Sequence, residues 1–214
     1  MTLKRNLATA ALVAATVTAL QGCFAVVATG VTAGALMAAD RRSSGAYVED
    51  ESIEMKALGE ISKRYGDKAH VNVTSYNRKV LLTGEAPDDA AKSAIERLTA
   101  DLPNVQAVTN DIQTGAPTDL GSRSSDSYIT SKVKGRFVEA NKFHANNVKV
   151  VTEAGTVYLL GLVTRVEADA ATEIARTTSD VRKVVRVFEY VSDEQARQLD
   201  NRPPEAAKPA GSKS

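Results

Sequence analysis

Tryptophan is absent from this chain, cysteine occurs once and histidine twice. One thiol can close no disulfide within the chain, and one Cys with two His falls short of a usual zinc ligand set. Aromatic residues make up only 5% of the sequence, so the core has to be built from Val, Ile, Leu and Ala. An excess of one charge is missing too. The 27 Lys and Arg are matched by 26 Asp and Glu, which argues against a general nucleic-acid coat and leaves room for a local basic face. Catalytic signatures are also lacking: there is no G-x-S-x-G elbow and no phosphate-cradling G-x-G-x-x-G run. His70 stands just before a strand-like run and His144 lies in "NKFHANN"; each reads as a structural or solvated histidine. Asp88 and Asp89 read as a helix cap, since acidic residues favour a helix N-terminus. The sequence thus points away from an enzyme and calls for no cofactor and no metal.

The position of the one cysteine carries more information than its number. Lys4 and Arg5 form a positive start, and "LATAALVAATVTAL" (Leu7–Leu20) is an uncharged run of signal-peptide length. Gly22 directly precedes Cys23. "LQGC" resembles the bacterial lipobox, with Gln21 departing from the usual small residue. That resemblance implies cleavage before Cys23, a diacylglycerol on its sulfur and an acylated amino terminus. Two or more acyl chains anchor stably where one does not. Phe24 follows the cysteine, and the resemblance then implies sorting to the outer membrane. A second reading is an uncleaved membrane helix, because the apolar run continues through "FAVVATGVTAGALMAA" to Ala39 and is long enough to span. Its Gly-, Ala- and Thr-rich second half would insert weakly.

Beyond Asp40 the chain turns polar ("DRRSSGAYVEDES"), and then a pattern occurs twice. Val71 and Val73 recur as Val148 and Val150. Val80, Leu82 and Gly84 recur as Val157, Leu159 and Gly161 at the same spacing, and Val105 and Val108 recur as Val181 and Val184 one residue closer. Each copy holds two short strands around a turn ("SYNRK", "TEAGT"), an Ala-rich amphipathic helix and a final strand. A helix precedes each copy: about Glu51–Tyr65, with Ile53, Ala57 and Ile61 in register, and about Asp126–Ala140, with Ile129, Val133 and Phe137 in register. Ser125 or Asp126 is the expected N-cap of the latter. Gly84 and Gly161 are expected where the second strand ends, with positive φ. The expected class is α+β: two tandem αββαβ units, each a two-layer sandwich of a three-stranded mixed sheet and two helices.

The segments "VLLTGEAP" with "LPNVQAVTNDI", and "VYLLGLVT" with "VRKVVRVFEYV", resemble the BON domain. The whole plan is similar to dual-BON outer-membrane lipoproteins. The expected layout is a signal peptide over 1–22, a lipidated linker over 23–49, BON domains over 50–115 and 126–193 with a linker over 116–125, and a disordered tail over 194–214. The resemblance implies a non-enzymatic, lipid-anchored protein at the periplasmic face of the outer membrane. It also implies binding to anionic, phosphatidylglycerol-like phospholipid, support of envelope integrity, and links to division sites or to outer-membrane protein assembly.

The helix leading the second copy offers a surface for such a lipid. At about 100° per residue, Tyr128, Ser131, Gly135 and Val138 fall opposite the Ile129, Val133 and Phe137 side. Lys132 and Lys134 flank that stripe, and Arg136 lies nearer the core boundary. Tyrosine suits a headgroup region, and cations suit anionic lipid. The helix leading the first copy mixes Glu51, Glu54 and Glu60 with Lys56, Lys63 and Arg64, giving little net attraction. The alternative is a periplasmic protein-interaction adaptor that recruits partners at an open sheet edge.

Overall fold

The computed structural model describes residues 40–116 and 120–202. In the first unit, α1 (Ser44–Tyr65) leads through a short 3₁₀ turn into β1 (His70–Tyr76) and β2 (Lys79–Ala86). Then come α2 (Asp89–Ala100) and a last strand in two pieces, β3 (Ala107–Asn110) and β4 (Gln113–Thr114). The second unit runs α3 (Leu120–Ala140), β5 (Lys149–Glu153), β6 (Thr156–Val163), α4 (Arg165–Arg176) and β7 (Lys183–Tyr190), and ends in α5 (Asp193–Asp200). In each sheet the first two strands are antiparallel and the last runs parallel to the second. This is the expected αββαβ arrangement, repeated.

Local chemistry accounts for the element ends. Ser43 accepts the Ala46 N–H and starts α1, and Gly66, at φ 50°, stops it. Asp88 caps α2 as expected, accepting the Ala91 N–H. Thr164 with Glu167, and Ser192 with Gln195, form capping boxes on α4 and α5, each satisfying two otherwise orphaned backbone donors. Ile53, Ala57, Ile61, Val71, Val73, Val80, Leu82 and Ile95 make one core. Ile129, Val133, Phe137, Val148, Val150, Val157, Leu159 and Ile174 make its counterpart.

Several boundaries differ from expectation. Helix α1 begins at Ser44, seven residues before Glu51, in a stretch whose composition reads as linker. Helix α3 begins at Leu120, so neither Ser125 nor Asp126 is its N-cap. Ser125 and Ser127 return their hydroxyls to the carbonyls of Gly121 and Arg123, so this polar stretch satisfies itself as helix. Helix α5 carries regular structure through residue 200, where a disordered tail is expected from residue 194; residues 203–214 lie outside the described residues, as do Cys23 and the apolar run around it. Gly84 and Gly161 sit inside β2 and β6. Gly84 has φ 101°, and Gly161 has no positive φ. Both are required because a Cβ would lie 2.1 Å from the His70 carbonyl oxygen or 2.3 Å from that of Asn147.

The second face of each sheet is also covered. Tyr76 and Leu81 of the first unit form one buried cluster with Tyr158, Leu160 and Leu162 of the second. Polar links close the seam: Tyr158 donates its hydroxyl to Asp111 (2.7 Å), Asn72 donates to Glu153 (2.6 Å), Lys79 pairs with Glu189 and Lys149 with Glu54. Burial and then Asp111 raise the Tyr158 pKa above its ordinary value. Residues 40–116 and 120–202 therefore form a four-layer body in which two sheets meet between outer helices.

Candidate lipid-facing site

Helix α3 divides its residues between two sides. Ile129, Val133 and Phe137 are buried against the sheet. Tyr128 and Val138 are 65% and 68% exposed, and Ser131, Lys134 and Gly135 are exposed between them. A Cβ on Gly135 would meet nothing within 4 Å. The mid-helix glycine thus costs about 1 kcal/mol against alanine without serving the packing of this chain. Clefts flank the stripe, one of about 610 Å³ beside Tyr128, Ala154 and Arg182, the other of about 520 Å³ between Gly135, Arg136 and Thr178.

The cations prove less available than the wheel implies. Lys132 donates to the Ser179 carbonyl and hydroxyl and pairs with Asp180. This bond holds the Asp180 carboxyl below its usual range. The same ammonium lies 4.8 Å from the centre of the Tyr128 ring. Arg136 donates to the Ile174 carbonyl and the Thr178 hydroxyl, placing positive charge at the C-terminal end of α4, where the helix dipole favours it. Of the three expected cations only Lys134 projects from the helix without such an engagement.

Buried charge is concentrated elsewhere. Arg41 is 3% exposed. Its N–H groups donate to both oxygens of Glu167, both oxygens of Asp200 and the Leu162 carbonyl, using all five donors of a guanidinium. Arg42 pairs with Asp40 and Asp50 and lies over the rings of Tyr47 (4.8 Å) and Tyr76 (4.3 Å). The chain entering from its N-terminal side is therefore fastened to both units.

Sequence reasoning missed a cluster that joins the units. His70 and Glu85 are cross-strand partners, their Nδ1 and Oε2 3.2 Å apart. Glu153 approaches from β5, and one ligand atom from each of the three lies within 4.8 Å of the others. Among the described residues this is the group with metal-ligand spacing. The hairpin register makes the first two legible; nothing local to Glu153 betrays the third. His144 is exposed and far from this arrangement in role as well as sequence, having no place in the cluster.

The BON-domain family profile matches residues 49–116 and 125–192. The chain is 37% identical, over 174 residues, to the outer membrane lipoprotein DolP of Haemophilus influenzae, covering 80% of this chain and 90% of that one. It is 39% identical over 154 residues to a 21 kDa hemolysin of Actinobacillus pleuropneumoniae, covering 71% of this chain and 79% of that one. Among solved structures, CdsD of the Chlamydia trachomatis type III secretion system shares 13% identity at a TM-score of 0.29, covering 71% of this chain and 99% of that one. Among the described residues no helix is long and apolar enough to cross a membrane.

Proposed function

Because the chain belongs to the BON-domain family, in the branch of two-unit outer-membrane lipoproteins that includes DolP, we propose that it is anchored through Cys23 at the periplasmic face of that membrane and binds anionic phospholipid through α3. The role is binding rather than catalysis. The observation that carries the reading is the pair Tyr128 and Val138, large apolar side chains left exposed on one helix face with small or polar residues between them.

Magnitudes decide which part of the surface matters. Burying a Val or aromatic side chain contributes about 1.5–3 kcal/mol, whereas one cation near anionic headgroups contributes about 1 kcal/mol. With Lys132 and Arg136 already engaged, the apolar pair dominates and Lys134 supplies the preference for anionic lipid. The acyl anchor keeps the face at high local lipid concentration, so weak intrinsic affinity suffices. The adaptor reading has less support: the edge strand β7 carries Lys183, Arg186 and Glu189, and charges along an edge discourage strand addition.

A form lacking residues 1–23 is expected to bind phosphatidylglycerol vesicles and not phosphatidylcholine ones, with amide shifts confined to α3 and its flanking clefts. Tyr128→Glu with Val138→Glu is expected to abolish binding, Lys134→Ala to weaken it by roughly fivefold, and added salt to weaken it only partly. Unchanged α3 resonances on adding phosphatidylglycerol would refute the site. Radiolabelled palmitate is expected in the full chain and absent from Cys23→Ala, a separate test of the anchor.

A further inference from the structure

We propose that His70, Glu85 and Glu153 form a binding site for one divalent transition-metal ion at the seam between the two units. His70 and Glu85 face each other across the antiparallel β1–β2 pair, on the side of the sheet that carries Tyr76 and Leu81 into the seam. Glu153 reaches the same point from the end of β5. The ligand atoms lie within 4.8 Å of one another, so a shift of about an ångström brings each to the 2.0–2.2 Å nitrogen and oxygen distances of zinc.

The surroundings suit an ion. Glu85 and Glu153 are 7% and 8% exposed, and two carboxylates brought together out of water repel one another unless something offsets their charge. Asn72 donates to Glu153 Oε2 at 2.6 Å and Thr83 donates to the same oxygen at 3.2 Å. This orients the carboxylate as outer-shell partners orient metal ligands. Both of these donors to Glu153 are neutral. A cavity of about 390 Å³ opens beside His70, Asn72 and Glu153 and is also lined by Arg123 and Asp126. It gives an ion and its remaining water ligands a way in. An imidazole ligand selects zinc or its transition-metal neighbours over calcium and magnesium, which prefer oxygen alone.

The test uses chelator-treated full chain titrated with zinc chloride, with cobalt(II) as a spectroscopic substitute and calcium chloride as the contrasting probe. One equivalent of zinc is expected to bind and to move the ring resonances of His70 while those of exposed His144 stay in place. Calcium is expected to leave both unchanged. Glu153→Gln, which retains an acceptor for Asn72, and His70→Gln are each expected to remove the site. Asn72→Ala is expected to weaken it by about 10–100-fold. A His70 ring that does not respond to zinc in the unaltered chain overturns the proposal, whatever the variants do, and so does zinc affinity that is unchanged in Glu153→Gln.

Discussion

Asp50 and Asp126 occupy the same place in the two leading helices, and each holds the hairpin turn of its own unit. Asp50 accepts the N–H groups of Asn77 and Arg78 and the Ser75 hydroxyl. Asp126 accepts those of Ala154 and Gly155, each at 2.8 Å. All four turn residues have positive φ: 51° and 65° in the first turn, 46° and 72° in the second. Two-residue hairpins need that conformation, and it costs an alanine about 1–2 kcal/mol. The buried carboxylate offsets the cost by ordering both donors. Asp126→Ala leaves those donors without an acceptor and is expected to cost about 2–4 kcal/mol, read from urea unfolding. Ala154→Asn creates the Asn-Gly pair such turns favour and is expected to stabilise by about 1 kcal/mol. The opposite signs make the pair informative, since a turn that contributes nothing to stability leaves both variants at the wild-type midpoint.

At the scale of elements, periodicity made the helix-facing cores legible. Ile129, Val133 and Phe137 are buried where the wheel placed them, and Val80, Leu82, Val157 and Leu159 face the helices. The outward Tyr128 and Val138 were legible by the same rule. The seam was not read, although "VLL" and "VYLLGLV" interrupt strict alternation as strands buried on both faces do. The early start of α1 was hidden because its cause lies in tertiary contacts: Arg42 meets Asp50 and Tyr76, and Arg41 reaches α4 and α5. That strap responds to acid. Burial opposes ionisation of Glu167, but its bond to Arg41 prevails and holds the carboxyl below its ordinary pKa; Arg41 lowers that of Asp200 directly. A depressed folded-state value means that the stabilisation is present above the ordinary carboxylate range near pH 4 and disappears as pH falls through the folded values. Unfolding free energy is therefore expected to decline below about pH 4, and to decline less in Arg41→Met. Parallel curves for the two proteins would show that the strap contributes no pH dependence.

At the scale of the molecule, the seam decides whether two repeats behave as one body. Separation would expose Tyr76, Leu81, Tyr158, Leu160 and Leu162, all buried in the intact fold. It would also break Asn72–Glu153, Tyr158–Asp111 and Lys79–Glu189. Neither unit alone covers that face, so unfolding of one removes the other's support. The chain from residue 40 onward is accordingly expected to melt in a single calorimetric transition, with calorimetric and van't Hoff enthalpies equal. Leu81→Ala lies outside both helix-facing cores. If the seam couples the units, it should still cost about 2–5 kcal/mol, lowering the midpoint by roughly 5–15 °C for a chain of this size. A charged residue at the same place, Leu81→Glu, is expected to divide the transition in two, because each unit keeps its own core. Two transitions in the unaltered protein, or a Leu81→Ala midpoint equal to wild type, would mean that the repeats are strung together and not fused.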